Sequence, residues 1–303
     1  MNNNKFGNII RPGKEGDVVL LGFPHDEGVA INKGRPGAKH GPEKFRFWIN
    51  KYDAVGNLQT ESDLSNLIIA DAGDISPNLP LEEAHSELTF RTREILQSDS
   101  IPFVVGGSND QSYPNASALL DKKSEQVIGV INVDAHLDVR PLKKGRAHSG
   151  SPFRLLLEDE RFFGNHFVEF ASQGNQCSSE HTQFVLGNYG SIYWLEEICK
   201  QGAIIDTFRS ALGKLAKECQ SIFVSFDLDS IAGNDAPGVS CPGVTGLNAD
   251  EATAIAFHAG EHPAVELFDL SEYNPVIEDE RTGRLAASIF HQFCLGYLQR
   301  KQK

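Results

Sequence analysis

Cysteine is sparse and scattered in this chain of 303 residues: Cys177, Cys199, Cys219, Cys241 and Cys294 are odd in number and form no C-x-x-C pair. A disulfide framework and a thiolate zinc site are therefore excluded, and reduced thiols in a cytoplasmic protein are the expectation. Long apolar runs are also missing. None approaches the roughly 20 residues needed to span a bilayer, and the opening Met1-Asn2-Asn3-Asn4-Lys5 lacks the apolar core of a secretion signal. Basic residues are outnumbered, 28 Lys and Arg against 41 Asp and Glu, for a formal charge of −13. With no basic stripe and no basic-aromatic patch, neither nucleic acid nor a membrane is expected as a partner. No internal repeat, low-complexity tract or linker interrupts the chain, so residues 1–303 read as one domain.

What is present is a regular alternation. Hydrophobic residues make up 40% of the chain, enough for a full core. Short apolar runs (17–21, 101–105, 127–133, 166–171, 222–226, 264–270) alternate with stretches of helical periodicity (80–98, 193–200, 210–218, 249–258, 282–298). Such alternation predicts an α/β fold of three layers, α/β/α, around a mostly parallel central sheet.

The chemistry gathers where strands end. Ile131-Asn132-Val133-Asp134-Ala135-His136-Leu137-Asp138 and Ser225-Phe226-Asp227-Leu228-Asp229 each put metal-ligand side chains at alternate positions directly after an apolar run. In an extended chain alternate residues share a face, so Asp134, His136 and Asp138 point one way, as do Asp227 and Asp229. Four carboxylates in one small space repel and desolvate one another unless a cation lies among them. Oxygen-rich donors with a single imidazole suit Mn²⁺ or Mg²⁺ better than zinc. A lone D-x-D often does no more than cap a turn, but D-A-H-x-D after a buried strand has no cheap structural use. Gly106-Gly107-Ser108-Asn109-Asp110 and Ser271-Glu272-Tyr273-Asn274-Pro275 follow two further predicted strands, and ligands of parallel sheets bind at such strand ends.

These motifs, in this order, resemble those of the arginase–agmatinase–formiminoglutamase superfamily, the manganese ureohydrolases. Asp26-Glu27-Gly28-Val29, the loop 32–42, the segment His148-Ser149-Gly150-Ser151-Pro152-Phe153 and the E-x-N-P block at Glu272 are most similar to the formiminoglutamase branch. The resemblance implies an arginase-like fold and two Mn²⁺ per subunit bridged by hydroxide. Asp134 and Asp227 would bridge, His136 and Asp229 would complete one position, and Asp138 with Asn109 the other. The superfamily usually has histidine where Asn109 stands. An amide oxygen is the weaker donor, so the second position is expected to be labile. The implied reaction is hydrolysis of N-formimino-L-glutamate to L-glutamate and formamide in histidine breakdown, with a trimer or hexamer as the usual assembly. Another ureohydrolase (agmatinase, arginase or a guanidino-acid hydrolase) is the neighbouring reading, and a metal-poor pseudoenzyme acting through protein contacts the distant one.

By the same resemblance Asp138 would orient the nucleophile, His148 shuttle a proton and Glu272 pair with the cationic formimino group. A substrate with two carboxylates needs cations, and the segment Arg140-Pro141-Leu142-Lys143-Lys144-Gly145-Arg146 concentrates them beside the ligand motif. Arg140 and Arg146 are the expected carboxylate binders because a guanidinium grips carboxylate in a fixed fork. Lys143 and Lys144 read as a solvated loop, and Arg35 and Lys39 as more distant candidates.

Overall fold

The computed structural model describes residues 5–51, 55–57, 59–123 and 125–303; the opening segment 1–4, read for a secretion signal, lies outside them. Eleven strands are present among the described residues. They are β1 (Arg11–Pro12), β2 (Val18–Phe23), β3 (Gly56–Asn57), β4 (Ser62–Asp63), β5 (Ile69–Asp74), β6 (Ile101–Gly106), β7 (Ile128–Val133), β8 (Phe167–Ser172), β9 (Ser191–Trp194), β10 (Ser221–Asp227) and β11 (Val265–Ser271). Nine of them form one sheet in the order β1-β5-β2-β6-β11-β10-β7-β8-β9, and every pairing in it is parallel. β3 and β4 make a small separate antiparallel pair.

The strands β2, β6, β7, β8 and β10 are buried at every residue, which is why they read as continuous apolar runs rather than as alternating ones. Two apolar cores result, one on each face of the sheet. Helices α2 (Gly41–Lys51), α7 (Leu195–Lys200), α8 (Ile204–Leu215), α9 (Ala249–Glu261) and α10 (Glu280–Gln302) supply the first core, with Phe45, Ile198, Phe208, Ile255 and Phe290 packed against Phe103, Ile131, Val224 and Phe268. Helices α3 (Leu81–Gln97), α4 (Ser112–Lys122), α5 (Pro152–Leu157) and α6 (Ser179–Gly187) supply the second, with Leu88, Leu119, Leu156 and Val185 against Val104, Val130 and Phe223. The remaining helix, α1 (Glu27–Ile31), lies in the loop after β2. The three-layer arrangement is the expected one.

Some elements differ from expectation for physical reasons. β5 reads Ile-Ala-Asp-Ala-Gly-Asp, with too little β-branched or apolar character to stand out as a strand. The stretch from Tyr193 splits into β9 followed by α7, since Ile192, Tyr193 and Trp194 pair with β8 before the chain turns. Helix α8 begins at Ile204, ahead of its expected start, because Ile204, Phe208 and Leu212 repeat every four residues and bury one face.

The topology makes the site. β6 and β7 follow one another closely in the chain but are separated in the sheet by β10 and β11, which arrive later. The four adjacent carboxyl ends form one rim at a change of strand order, where parallel sheets open a crevice.

A carboxylate-rich metal centre at the strand ends

Each central strand delivers its ligand-type residue to that rim: Asn109 after β6, Asp134 to Asp138 after β7, Asp227 and Asp229 at the end of β10, and Glu272 after β11. Ligand atoms of Asp134, His136 and Asp138 lie within 4.8 Å of one another, and so do those of Asp134, Asp227 and Asp229. Asp134 thus belongs to both groups. His136 Nδ1 stands 3.1 Å from Asp229 Oδ2 and 3.4 Å from Asp134 Oδ1. Local backbone contacts set the carboxylates: the N–H of His136 donates to Asp134 Oδ1 (2.7 Å), and the N–H of Asp229 donates to Asp227 Oδ1 (2.9 Å).

Burial makes this arrangement costly without a cation. Asp134, Asp227 and Glu272 are driven well above the ordinary carboxylate range, first by burial and then by neighbouring carboxylates. Asp138 is raised to about 6 by burial, although His136, Asn109 and Arg140 oppose the shift. The Asp229 carboxylate holds His136 well above the usual imidazole value. Asp229 Oδ1 and Glu272 Oε2 are buried with no hydrogen-bond partner among the described residues. Four aspartate carboxylates and one imidazole, with an orphaned buried oxygen on Asp229, are the donor set of a hard divalent cation.

Asp138 and Glu272 both adopt left-handed backbone conformations, at φ 42° and 68°. Non-glycine residues avoid this region, so two such residues at one rim indicate backbone held out of its preferred state to aim carboxylates. The glycines of Gly106-Gly107 serve close approach between protein segments: a Cβ on Gly107 would collide with the carbonyl oxygen of His25 and the backbone of Ala38. Asn274, of the E-x-N-P block, donates to the carbonyls of Arg35 (2.9 Å) and Pro36 (3.2 Å) and ties the N-terminal loop to the rim.

Four expected site residues sit differently from expectation. Asn109 Oδ1 accepts hydrogen bonds from Ser112 and Ser271 (both 2.9 Å), while Nδ2 donates to Asp138 Oδ2 (2.8 Å). The amide therefore presents its nitrogen to the cluster, whereas ligation was expected from its oxygen. His148 is buried, accepts from the Gly150 N–H at Nδ1 (3.1 Å) and bonds through Nε2 to the Pro141 carbonyl (3.1 Å). With both nitrogens taken, and burial lowering its pKa, it is not placed to shuttle a proton. Arg146 is paired with Glu27 and Glu82, both at 2.8 Å, which occupies the guanidinium expected to bind substrate. Arg35 braces the loop after β10 by donating to the carbonyls of Val239 (2.8 Å) and Ser240 (2.9 Å). Arg140 remains beside the cluster, where its charge acts on Asp138.

Supporting residues passed over in the sequence include Asn132, which donates to Asp134 Oδ2 (3.3 Å) and to buried Glu169 (2.9 Å). Its position two residues before Asp134, on the same strand face, was the available signal.

A family model for the arginase family matches residues 16–296. The chain belongs to the arginase family. Formimidoylglutamase of Geobacillus thermodenitrificans is 32% identical over 283 residues, covering 92% of this chain and 82% of that one. Trypanosoma cruzi formiminoglutamase, solved with Mn²⁺, superposes with a TM-score of 0.89 at 47% identity over 94% of each chain. An asparagine-to-histidine variant of that protein, also with Mn²⁺, matches with a TM-score of 0.94 at 44% identity, covering 99% of this chain and all of that one. The arginase-family fold thus places a hydrolase's carboxylate centre at the sheet rim, and among the described residues no helix is long and apolar enough to cross a membrane.

Proposed function

We propose that the protein is a manganese-dependent formimidoylglutamase, converting N-formimino-L-glutamate and water to L-glutamate and formamide in histidine breakdown. The observation that carries this reading is the pairing of an anionic rim with cations, Arg140 and Lys143, that have no partner carboxylate among the described residues. Both the charged amidine and the two carboxylates of the substrate thereby find opposite charge. The names of the relatives point the same way.

Asp134, Asp138, Asp227, Asp229 and His136 would hold the Mn²⁺ pair. When bound, two such cations supply a hydroxide at neutral pH and neutralise charge developing on the attacked carbon's substituents. Asp138, restrained by Asn109, orients that nucleophile, accepts its proton and returns it to the departing nitrogen of glutamate. Glu272, anchored at Oε1 by the Asn109 N–H (3.1 Å), leaves Oε2 for the formimino cation. Arg140 receives a substrate carboxylate. With Asn109 offering no oxygen to the rim, the second cation position is the labile one. The chain acts as one catalytic domain, in the cytoplasm, within a trimer or hexamer.

The test is glutamate release from N-formimino-L-glutamate by Mn²⁺-loaded protein, with arginine and agmatine run alongside. Turnover confined to the formimino substrate supports the reading; turnover of agmatine or arginine instead overturns it. Light scattering of the same sample gives the subunit count, and a monomer would overturn the assembly.

A further inference from the structure

Lys143 was passed over in the sequence as a solvated loop lysine, and its surroundings point elsewhere. Its Nζ donates to Asn32 Oδ1 (2.9 Å) and to the Ile31 carbonyl (3.2 Å), at the carboxyl end of α1. Arg140 Nη1 donates to the same Asn32 oxygen (3.2 Å), so the two cations stand within about 6 Å of each other. Asn32 is itself held by donating to Ser149 Oγ (3.0 Å). Gly150 leaves room for this arrangement, since a Cβ there would meet Arg140 Cδ at 2.9 Å.

Charge is unbalanced at this spot. Among the described residues no carboxylate pairs with Arg140, Lys143 or Lys33, whereas Arg146 in the same segment has two. Burial lowers the Lys143 pKa, and the charges of Arg140 and Lys33 lower it further. In a chain of net charge −13, like charges gathered on one neutral amide oxygen are a receptor for an anion. Arg140 lies near enough for its charge to act on Asp138, while Lys143 is held at the carboxyl end of α1. An ammonium has three N–H donors, and Ile31 and Asn32 take two of them.

We propose that Lys143, held on the Asn32 amide beside Arg140, is a specificity-determining residue that receives the side-chain carboxylate of the glutamate moiety. This rests on the formimidoylglutamase reading. Arg140 takes the carboxylate next to the scissile nitrogen, and Lys143 the one at the far end of the substrate.

The test compares N-formimino-L-glutamate with N-formimino-L-glutamine, its neutral isostere, on Mn²⁺-loaded wild type and on Lys143→Met, Lys143→Arg and Lys144→Gln. The wild type should prefer the glutamate compound in kcat/KM, and Lys143→Met should cut that preference roughly tenfold or more, chiefly through KM. Lys143→Arg should recover most of it, and Lys144→Gln should leave it unchanged. A Lys143→Met enzyme that loses activity on both substrates in parallel overturns the proposal, since docking of the loop on α1 alone predicts that result. Calorimetric binding of glutarate and of pentanoate to the Mn²⁺-loaded protein separates the two levels of inference. If the wild type turns over neither substrate, tighter glutarate binding that Lys143→Met abolishes still upholds the anion site. Equal binding of the two acids to wild type and variant overturns it.

Discussion

The two halves of the site are built in opposite ways. The anionic half comes from the ends of four adjacent strands; Asp134, Asp227 and Asp229 are buried there, held by short local contacts such as the His136 and Asp229 N–H groups. The cationic half comes from loops, is only half-buried, and is held by bonds between residues far apart in the chain, such as Arg140 and Lys143 with Asn32. A sheet fixes direction and spacing through its register, so its contribution is rigid and bought with desolvation. Loops fix position only through their mutual contacts, so theirs is adaptable. On the proposed reading, chemistry resides in the rigid half and substrate choice in the adaptable one.

Breaking the anionic half should have the largest effect. Asp134→Asn removes the carboxylate shared by both ligand groups, and activity should fall by roughly a thousandfold or more, with loss of bound Mn²⁺ by elemental analysis. Glu272→Gln retains the shape but not the charge proposed to face the formimino group. A drop in kcat/KM of about a hundredfold with Mn²⁺ content unchanged is expected, and loss of metal would show instead that Glu272 serves the cations.

The desolvation of that half predicts a pH signature. Burial raises Asp138 from 3.8 to about 6 and Asp269 to about 7, and drives Asp134 and Asp227 well above the ordinary carboxylate range. The folded cation-free protein therefore keeps protons that the unfolded chain gives up near pH 4. The stability these groups contribute is fully present below that value and is lost as pH rises through the folded pKa values. Mn²⁺ at one fixed concentration, about a hundredfold above its Kd at pH 7.5, should consequently raise Tm by about 5 °C at pH 7.5 and by less at pH 5.5. An equal rise at both pH values would show that the cations do not replace those protons.

Two smaller changes sharpen the contrast. Asn109→His replaces a side chain that turns its nitrogen to Asp138, and Mn²⁺ titration should then show tighter occupancy of the second position. Unchanged stoichiometry and affinity would show that Asn109 does not limit binding. Arg146→Gln sits outside both halves, on Glu27 and Glu82, and should leave KM within about twofold.

The same division decided what could be read in advance. Asp134, His136, Asp138, Asp227 and Asp229 were legible because period-two spacing after an apolar run maps directly onto one face of a strand end. The parallel sheet was legible because strands buried on both faces form unbroken apolar runs. Arg146 was misjudged because its partners Glu27 and Glu82 are remote in sequence, and Lys143 for the same reason. The orientation of Asn109 depends on Ser112 and Ser271, which belong to different strand–helix units. Such facts are consequences of the assembled fold and leave no periodic trace.

The parallel sheet also imposes an order of events. Parallel neighbours are joined only through crossovers, and β7 meets β10 after three intervening helical connections have found their places. Asp134 follows the first of those strands and Asp227 ends the second, so the group of Asp134, Asp227 and Asp229 does not exist before they pair. A chain in which β7 and β10 have not yet paired accordingly offers manganese only the Asp134, His136 and Asp138 group of a single strand end. Capture of a cation by the group that Asp134 shares with Asp227 and Asp229 thus reports that the two central strands have met.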